Sequence, residues 1–149
     1  MTNKTATATT TLADRPVAAV MSRPVIAIHA GDTLNRGLQV LAIADLHHVA
    51  VVDEIGRFVG LLSDRTIAAA WLHYPSEFGR LCAGDLVTLP QQPIVADDAK
   101  VRDAALTMHS CGTDAVVVVD AEGDPIGIVT AADLVDLIAQ PMGSRAAGA

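Results

Sequence analysis

The chain alternates short β-branched runs with longer amphipathic ones, and it does so twice. In the first half, residues 25–28 read as a short strand. Asp32 or Thr33 can then cap a helix whose apolar positions are Leu34, Leu38, Leu41 and, one face over, Val40. Residues 48–52 predict a second strand, residues 53–56 supply turn chemistry, and residues 58–62 pair back as a hairpin. A helix over 67–72 closes the set. In the second half the corresponding pieces are a strand at 94–96, a helix from Ala99 capped by Asp98, a strand at 115–119, a turn at 120–123, a strand at 126–129 and a helix over 131–139. Short helices are expected ahead of each set, at 15–21 and 81–86.

The two halves superpose without a gap. Asp53 meets Asp120, Gly56 meets Gly123 and Gly60 meets Gly127, an offset of 67 residues that places "VAVVDEIGRFVGLLS" on "VVVVDAEGDPIGIVT". Each copy therefore reads as strand, helix, strand, strand, helix, a mixed α/β (α+β) unit. The run "VVVV" is too continuous for a strand with one wet face, so each small sheet should be covered on both. A unit of about 60 residues buries too little surface to be secure alone, which favours packing of the two copies together. The expected organisation is a loose N-terminal tail over 1–13, a first repeat over 14–78, a second over 79–140 and a loose tail over 141–149.

Composition narrows the partners. With 51% hydrophobic but only 3% aromatic residues in 149, a stacking platform for single-stranded nucleic acid is poorly supplied. Seventeen acidic residues against ten basic ones, a net charge of −7, also argue against a polyanionic partner. No apolar run approaches the ~18 residues of a membrane span, and no signal-peptide core stands at the N-terminus, so a soluble cytoplasmic protein is expected. Cys82 and Cys111 form no CxxC pair, and His47-His48 is a poor metal motif because neighbours on a strand face opposite ways. Nothing resembles a nucleophile–base set, GxGxxG or a P-loop, and an enzyme is not expected.

Chemistry concentrates at a joint used twice: "GLLSDRT" (60–66) and "GIVTAAD" (127–133). Asp133 can accept hydrogen bonds from both hydroxyls of a ribose, whereas Thr66 offers one hydroxyl at the matching position. Thr130 stands where a strand gives way to a helix, whose free N–H groups favour a phosphate or other acceptor. The same Thr-x-x-Asp is also a capping box, Thr130 capping the helix and Asp133 returning a bond to the backbone, and the two roles can coexist. Arg65 sits in the first turn of its helix, where a cation opposes the macrodipole unless an anion is near.

The stretches at 20–34, 47–65 and 115–134 resemble the cystathionine-β-synthase (CBS) domain family in tandem, the arrangement called a Bateman module. The resemblance implies two βαββα repeats about a pseudo-twofold axis, adenosine-containing ligands in clefts between them, and a homodimer. It assigns Thr130 and Asp133, with Ser63 in the first copy, to the ligand motif. It places adenine-lining segments at Pro93, Ile94, Val116, Val117 and Val118 in the second copy and at Pro24, Val25 and Ile26 in the first, the latter with residues 49–51. The implied function is a regulatory module that requires no cofactor and signals energy or methyl-donor status to a separate effector protein; a ligand-independent dimerising scaffold is the alternative. Few cations lie near the motifs, which leans toward AMP, ADP or S-adenosylmethionine over ATP.

Overall fold

The computed structural model describes residues 11–87 and 92–140; the tails expected over 1–13 and 141–149 fall largely outside them. Ten principal elements follow in order: β1 (Ala27–His29), α1 (Leu34–Ala44), β2 (His48–Val52), β3 (Phe58–Ser63), α2 (Asp64–His73), β4 (Ile94–Ala96), α3 (Val101–Cys111), β5 (Ala115–Val119), β6 (Pro125–Thr130) and α4 (Ala131–Ala139). They form two three-stranded sheets, β1-β2-β3 and β4-β5-β6, the first pair of each parallel and the second antiparallel.

The repetition extends to irregularities. A bulge falls between Val51 and Val52 in one sheet and between Val118 and Val119 in the other. Both hairpin turns carry a glycine at φ 86°, Gly56 and Gly123, in the left-handed region that glycine adopts without steric cost. In each, the aspartate that ends the strand gathers two backbone amides: Asp53 Oδ1 accepts from Ile55 and Arg57 at 3.0 and 2.9 Å, and Asp120 Oδ1 from Glu122 and Asp124 at 3.0 and 2.9 Å.

Several boundaries differ from the sequence expectation for local reasons. Strand β1 is centred later than 25–28, because Ile26 contributes only its carbonyl, to the Ala50 amide at 3.0 Å. Thr33, not Asp32, caps α1, accepting from the Arg36 amide at 3.1 Å, while Asp32 turns back to the His29 amide at 2.9 Å. Helix α3 starts at Val101 rather than Ala99. Ala99 is held in a turn onto the Ala96 carbonyl, and Asp103, not Asp98, closes the helix start by accepting from the Lys100 amide at 2.9 Å. Helix α2 begins at Asp64, ahead of 67, once Ser63 caps it. The helices expected at 15–21 and 81–86 contract to 3-10 turns at Val17–Ala19 and Ala83–Leu86.

The lead segments cross over. Val17 packs with Val95, Ala104, Met108, Val116, Val118 and Val129 of the second repeat, and its amide bonds the Ala99 carbonyl at 2.9 Å. Reciprocally, Phe78, Ala83 and Val87 complete the core of the first repeat around Ile28, Leu34, Val49, Val51 and Leu62. A third cluster joins the sheets: Ala115, Val117 and Ile128 meet Val25, Phe58 and Leu61. Alternate residues of β5 thus face helices and the opposing sheet in turn, so all four of Val116, Val117, Val118 and Ala115 are fully buried and the run needs no polar alternation. Each such valine contributes roughly 1.5–3 kcal/mol on burial.

Candidate functional site

The crossing of residues 15–22 builds the site. Ser22 and Ile128 exchange backbone hydrogen bonds at 2.8 and 3.1 Å, which lays the segment after Ser22 alongside the end of β6. Pro24 and Ile26 therefore line, together with Thr130 and Asp133, a cleft of about 600 Å³ between the repeats. Its rim carries Asp45, His47 and His48 from the α1–β2 region, Ser63, Asp64 and Arg65 from the β3–α2 joint, and Asp114 from the residue before β5.

Of the residues singled out in the sequence, Pro24, Ile26, Ser63, Arg65, Thr130 and Asp133 line this one cleft. The remainder do not. Val25 faces the cluster between the sheets, Thr66 is exposed at the start of α2, Pro93 and Val116, Val117 and Val118 are fully buried, and Ile94 lies on β4. The apolar residues that line the cleft with Asp133 include Pro24 and Ile26 of the first repeat, brought there by the crossing of its lead segment. Val49 and Val51 are committed to the first core.

The capping box is formed. The Thr130 amide donates to Asp133 Oδ2 at 2.8 Å and the Asp133 amide to Thr130 Oγ1 at 3.2 Å. This engages one carboxylate oxygen and leaves Oδ1 for another donor, so capping and ligand binding are compatible at this joint. In the first repeat the Thr66 amide donates to Ser63 Oγ at 3.1 Å, and the two hydroxyls lie 2.9 Å apart. That joint has the cap without the carboxylate.

Sequence reasoning did not single out Asp45, Asp64 or Asp114 and gave the two histidines no partners. His47 Nδ1 lies 2.7 Å from Asp64 Oδ2 within the first repeat, and His48 Nε2 lies 2.7 Å from Asp114 Oδ1 of the second. The pair discounted as a metal motif does point two ways, each ring to its own carboxylate. Among the described residues no group of three or more His, Cys, Asp or Glu is placed to hold a metal ion. The available signal was the offset itself, which sets Asp114 at the position of His47.

These pairs shift their titrations. The Asp64 hydrogen bond and charge raise His47 above its ordinary value, and the His47 bond lowers Asp64. Burial pushes Asp114 up, but the His48 hydrogen bond, the His48 charge and the nearby Arg65 guanidinium bring it below the usual carboxylate range. Arg65 is the one Lys or Arg among the lining residues. Lys100 and Arg102 instead flank Asp14, at 3.9 and 3.2 Å.

Two sheets built from one repeated unit, exchanging their lead segments and enclosing a cleft between them, define a tandem-repeat module. The chain belongs to the CBS domain family, whose sequence model matches it twice, at residues 17–73 and 83–140. It is 26% identical over 115 residues to L-aspartate semialdehyde sulfurtransferase of Methanocaldococcus jannaschii, covering 77% of this chain but only 21% of that protein. Two further matching enzymes, both homoserine O-acetyltransferases, are covered over 22% and 24% of their length. Among solved structures, the fold is similar to the CBS domain pair of protein MJ0100 in complex with 5′-methylthioadenosine and S-adenosyl-L-methionine, with a TM-score of 0.72, 24% identity, and coverage of 84% of this chain and 96% of that one. It is also similar to CBSX2 in complex with AMP, with a TM-score of 0.68, 24% identity, and coverage of 83% and 96%.

Proposed function

We propose that this protein is a regulatory module, without chemistry of its own, that binds an adenosine-containing ligand in the cleft between its repeats. The observation that carries the reading is the placement of Asp133, with one carboxylate oxygen uncommitted, in a 600 Å³ cleft that Pro24 and Ile26 also line. A purine fits between apolar groups while a carboxylate takes the ribose hydroxyls. The adenosine ligands of the two similar CBS pairs support the same ligand class. A ligand touching Pro24 and Asp133 bridges both repeats, so occupancy changes how they pack and passes that change to a separate effector protein in the cytoplasm.

Calorimetric titration of AMP, ADP, ATP and S-adenosylmethionine into the whole chain tests this, with Asp133→Asn in parallel. Asparagine keeps an acceptor for the Thr130 amide, so the cap survives while the ribose acceptor loses its charge. The expected result is one site per chain and about tenfold weaker binding in the variant, equivalent to about 1.4 kcal/mol. Silence from all four ligands with the fold intact would leave the second reading, a dimerising scaffold. The exposed apolar side chains Trp71, Leu72, Val135 and Ile138 on α2 and α4 favour a homodimer under either reading.

A further inference from the structure

Resting on the adenosine-binding reading, we propose that the cleft selects an adenosine whose 5′ group is uncharged or cationic, a thioether or sulfonium, over one that is phosphorylated.

The donors that would greet a phosphate are already occupied by the protein itself. At the start of α4, the Ala131 amide bonds the Asp114 carbonyl at 2.8 Å and the Asp133 amide bonds Thr130 Oγ1 at 3.2 Å, which leaves Ala132 alone of the first three. At the start of α2, the Asp64 amide bonds the His47 carbonyl at 3.0 Å and the Thr66 amide bonds Ser63 Oγ at 3.1 Å, which leaves Arg65 alone of the first three. Each helix start facing the cleft also holds its own carboxylate in the first turn, Asp64 or Asp133, which takes up the favourable end of the macrodipole. A phosphate arriving at either end finds one amide at most and a negative charge beside it.

The side chains point the same way. Four carboxylates line the cleft, Asp45, Asp64, Asp114 and Asp133, against the single guanidinium of Arg65. Even with His47 and His48 both protonated, the balance is four negative charges to three positive. With the imidazoles neutral it is four to one. In a partly enclosed space such a balance disfavours a phosphomonoester and disfavours a triphosphate more, while a sulfonium or ammonium is attracted.

The test compares 5′-methylthioadenosine, S-adenosylmethionine, AMP and ATP by calorimetry at pH 8. The expected order is thioether and sulfonium at least tenfold tighter than AMP, and AMP tighter than ATP. Asp114→Asn, which keeps an acceptor for His48 and removes one of the four cleft carboxylates, should tighten AMP at least threefold and leave the thioether unchanged. AMP or ATP binding as tightly as the thioether at pH 8 would overturn this selectivity and leave the adenosine reading standing. An unchanged AMP-to-thioether ratio in Asp114→Asn would overturn its electrostatic origin. No binding by any of the four to folded protein would remove the adenosine reading itself.

Discussion

His48 of β2 and Asp114 of the second repeat meet with Nε2 and Oδ1 2.7 Å apart, a direct side-chain tie between the two repeats at the cleft. The imidazole side chain is 11% exposed and the carboxylate 59%, so the bond joins a largely buried ring to a half-wet acid. A hydrogen bond involving a charged group contributes about 1.5–3 kcal/mol, and solvent at Asp114 reduces that. His48→Ala should therefore cost about 1–2 kcal/mol in urea unfolding. In a double-mutant cycle with Asp114→Ala the coupling should be about 1 kcal/mol; strict additivity would show that the tie contributes nothing.

Gly60 and Gly127 occupy matching positions in the two repeats but face different neighbours. A Cβ on Gly60 would stand 2.5 Å from Val87 Cβ, an atom fixed to the backbone. On Gly127 it would meet the outer atoms of Met21, a flexible side chain that can swing aside. Gly60→Ala should lower stability by about 2–3 kcal/mol, and Gly127→Ala by less, in line with the usual cost of overpacking. Equal thermal shifts in the two variants would contradict the difference in contacts.

The strands, turns and second-repeat helix start were legible because their signals are local. Continuous β-branched runs and the turn residues that follow Asp53 and Asp120 are written in adjacent positions, and the 67-residue offset lets one copy check the other. The exchange of lead segments was not legible. It rests on backbone bonds such as Val17 to Ala99 and Ser22 to Ile128, which leave no side-chain signature. For the same reason the neighbours of Asp133 could not be read from the sequence, since Pro24 and Pro93 look alike until the crossing is known. The histidine–aspartate pairs were hidden for a related reason: His48 and Asp114 lie far apart in sequence and share no spacing rule.

Thr66 marks where the first repeat departs from the second. Ser63 already caps α2, and an aspartate at 66 would complete the reciprocal bond that Asp133 makes to Thr130. Thr66→Asp should raise stability by about 0.5–1 kcal/mol through that bond and through its charge at the helix start. A lower midpoint in urea would mean that repulsion from neighbouring Asp64 outweighs the cap.

Trp71 and Ile138 stand at matching positions on α2 and α4 and are 58% and 70% exposed, while Leu72 beside Trp71 is 76% exposed. Such side chains on the outer faces of two helices fit a self-complementary contact between copies of the chain. Sedimentation should report a dimer for the wild type and a shift to monomer for Leu72→Asp with Ile138→Asp. A wild-type monomer at high concentration, or a dimer unaffected by both changes, would place the contact elsewhere or remove it.

The His47–Asp64 pair sets the pH range in which this joint is firmest. His47 is raised from 6.5 by its hydrogen bond to Asp64 and by the carboxylate charge, so its contribution is fully present below about 6.5 and is lost as pH climbs through the raised value. Asp64 is lowered from 3.8 chiefly by the same bond, so its contribution is present above about 3.8 and is lost as pH falls through the lowered value. The pair therefore stabilises most between those two reference points, when both partners are charged, and fades on either side. Urea unfolding of the wild type and His47→Gln should differ most in mildly acidic buffer and converge toward alkaline pH. A difference that stays constant from acid to alkaline conditions would mean that the exposed imidazole acts through packing rather than charge.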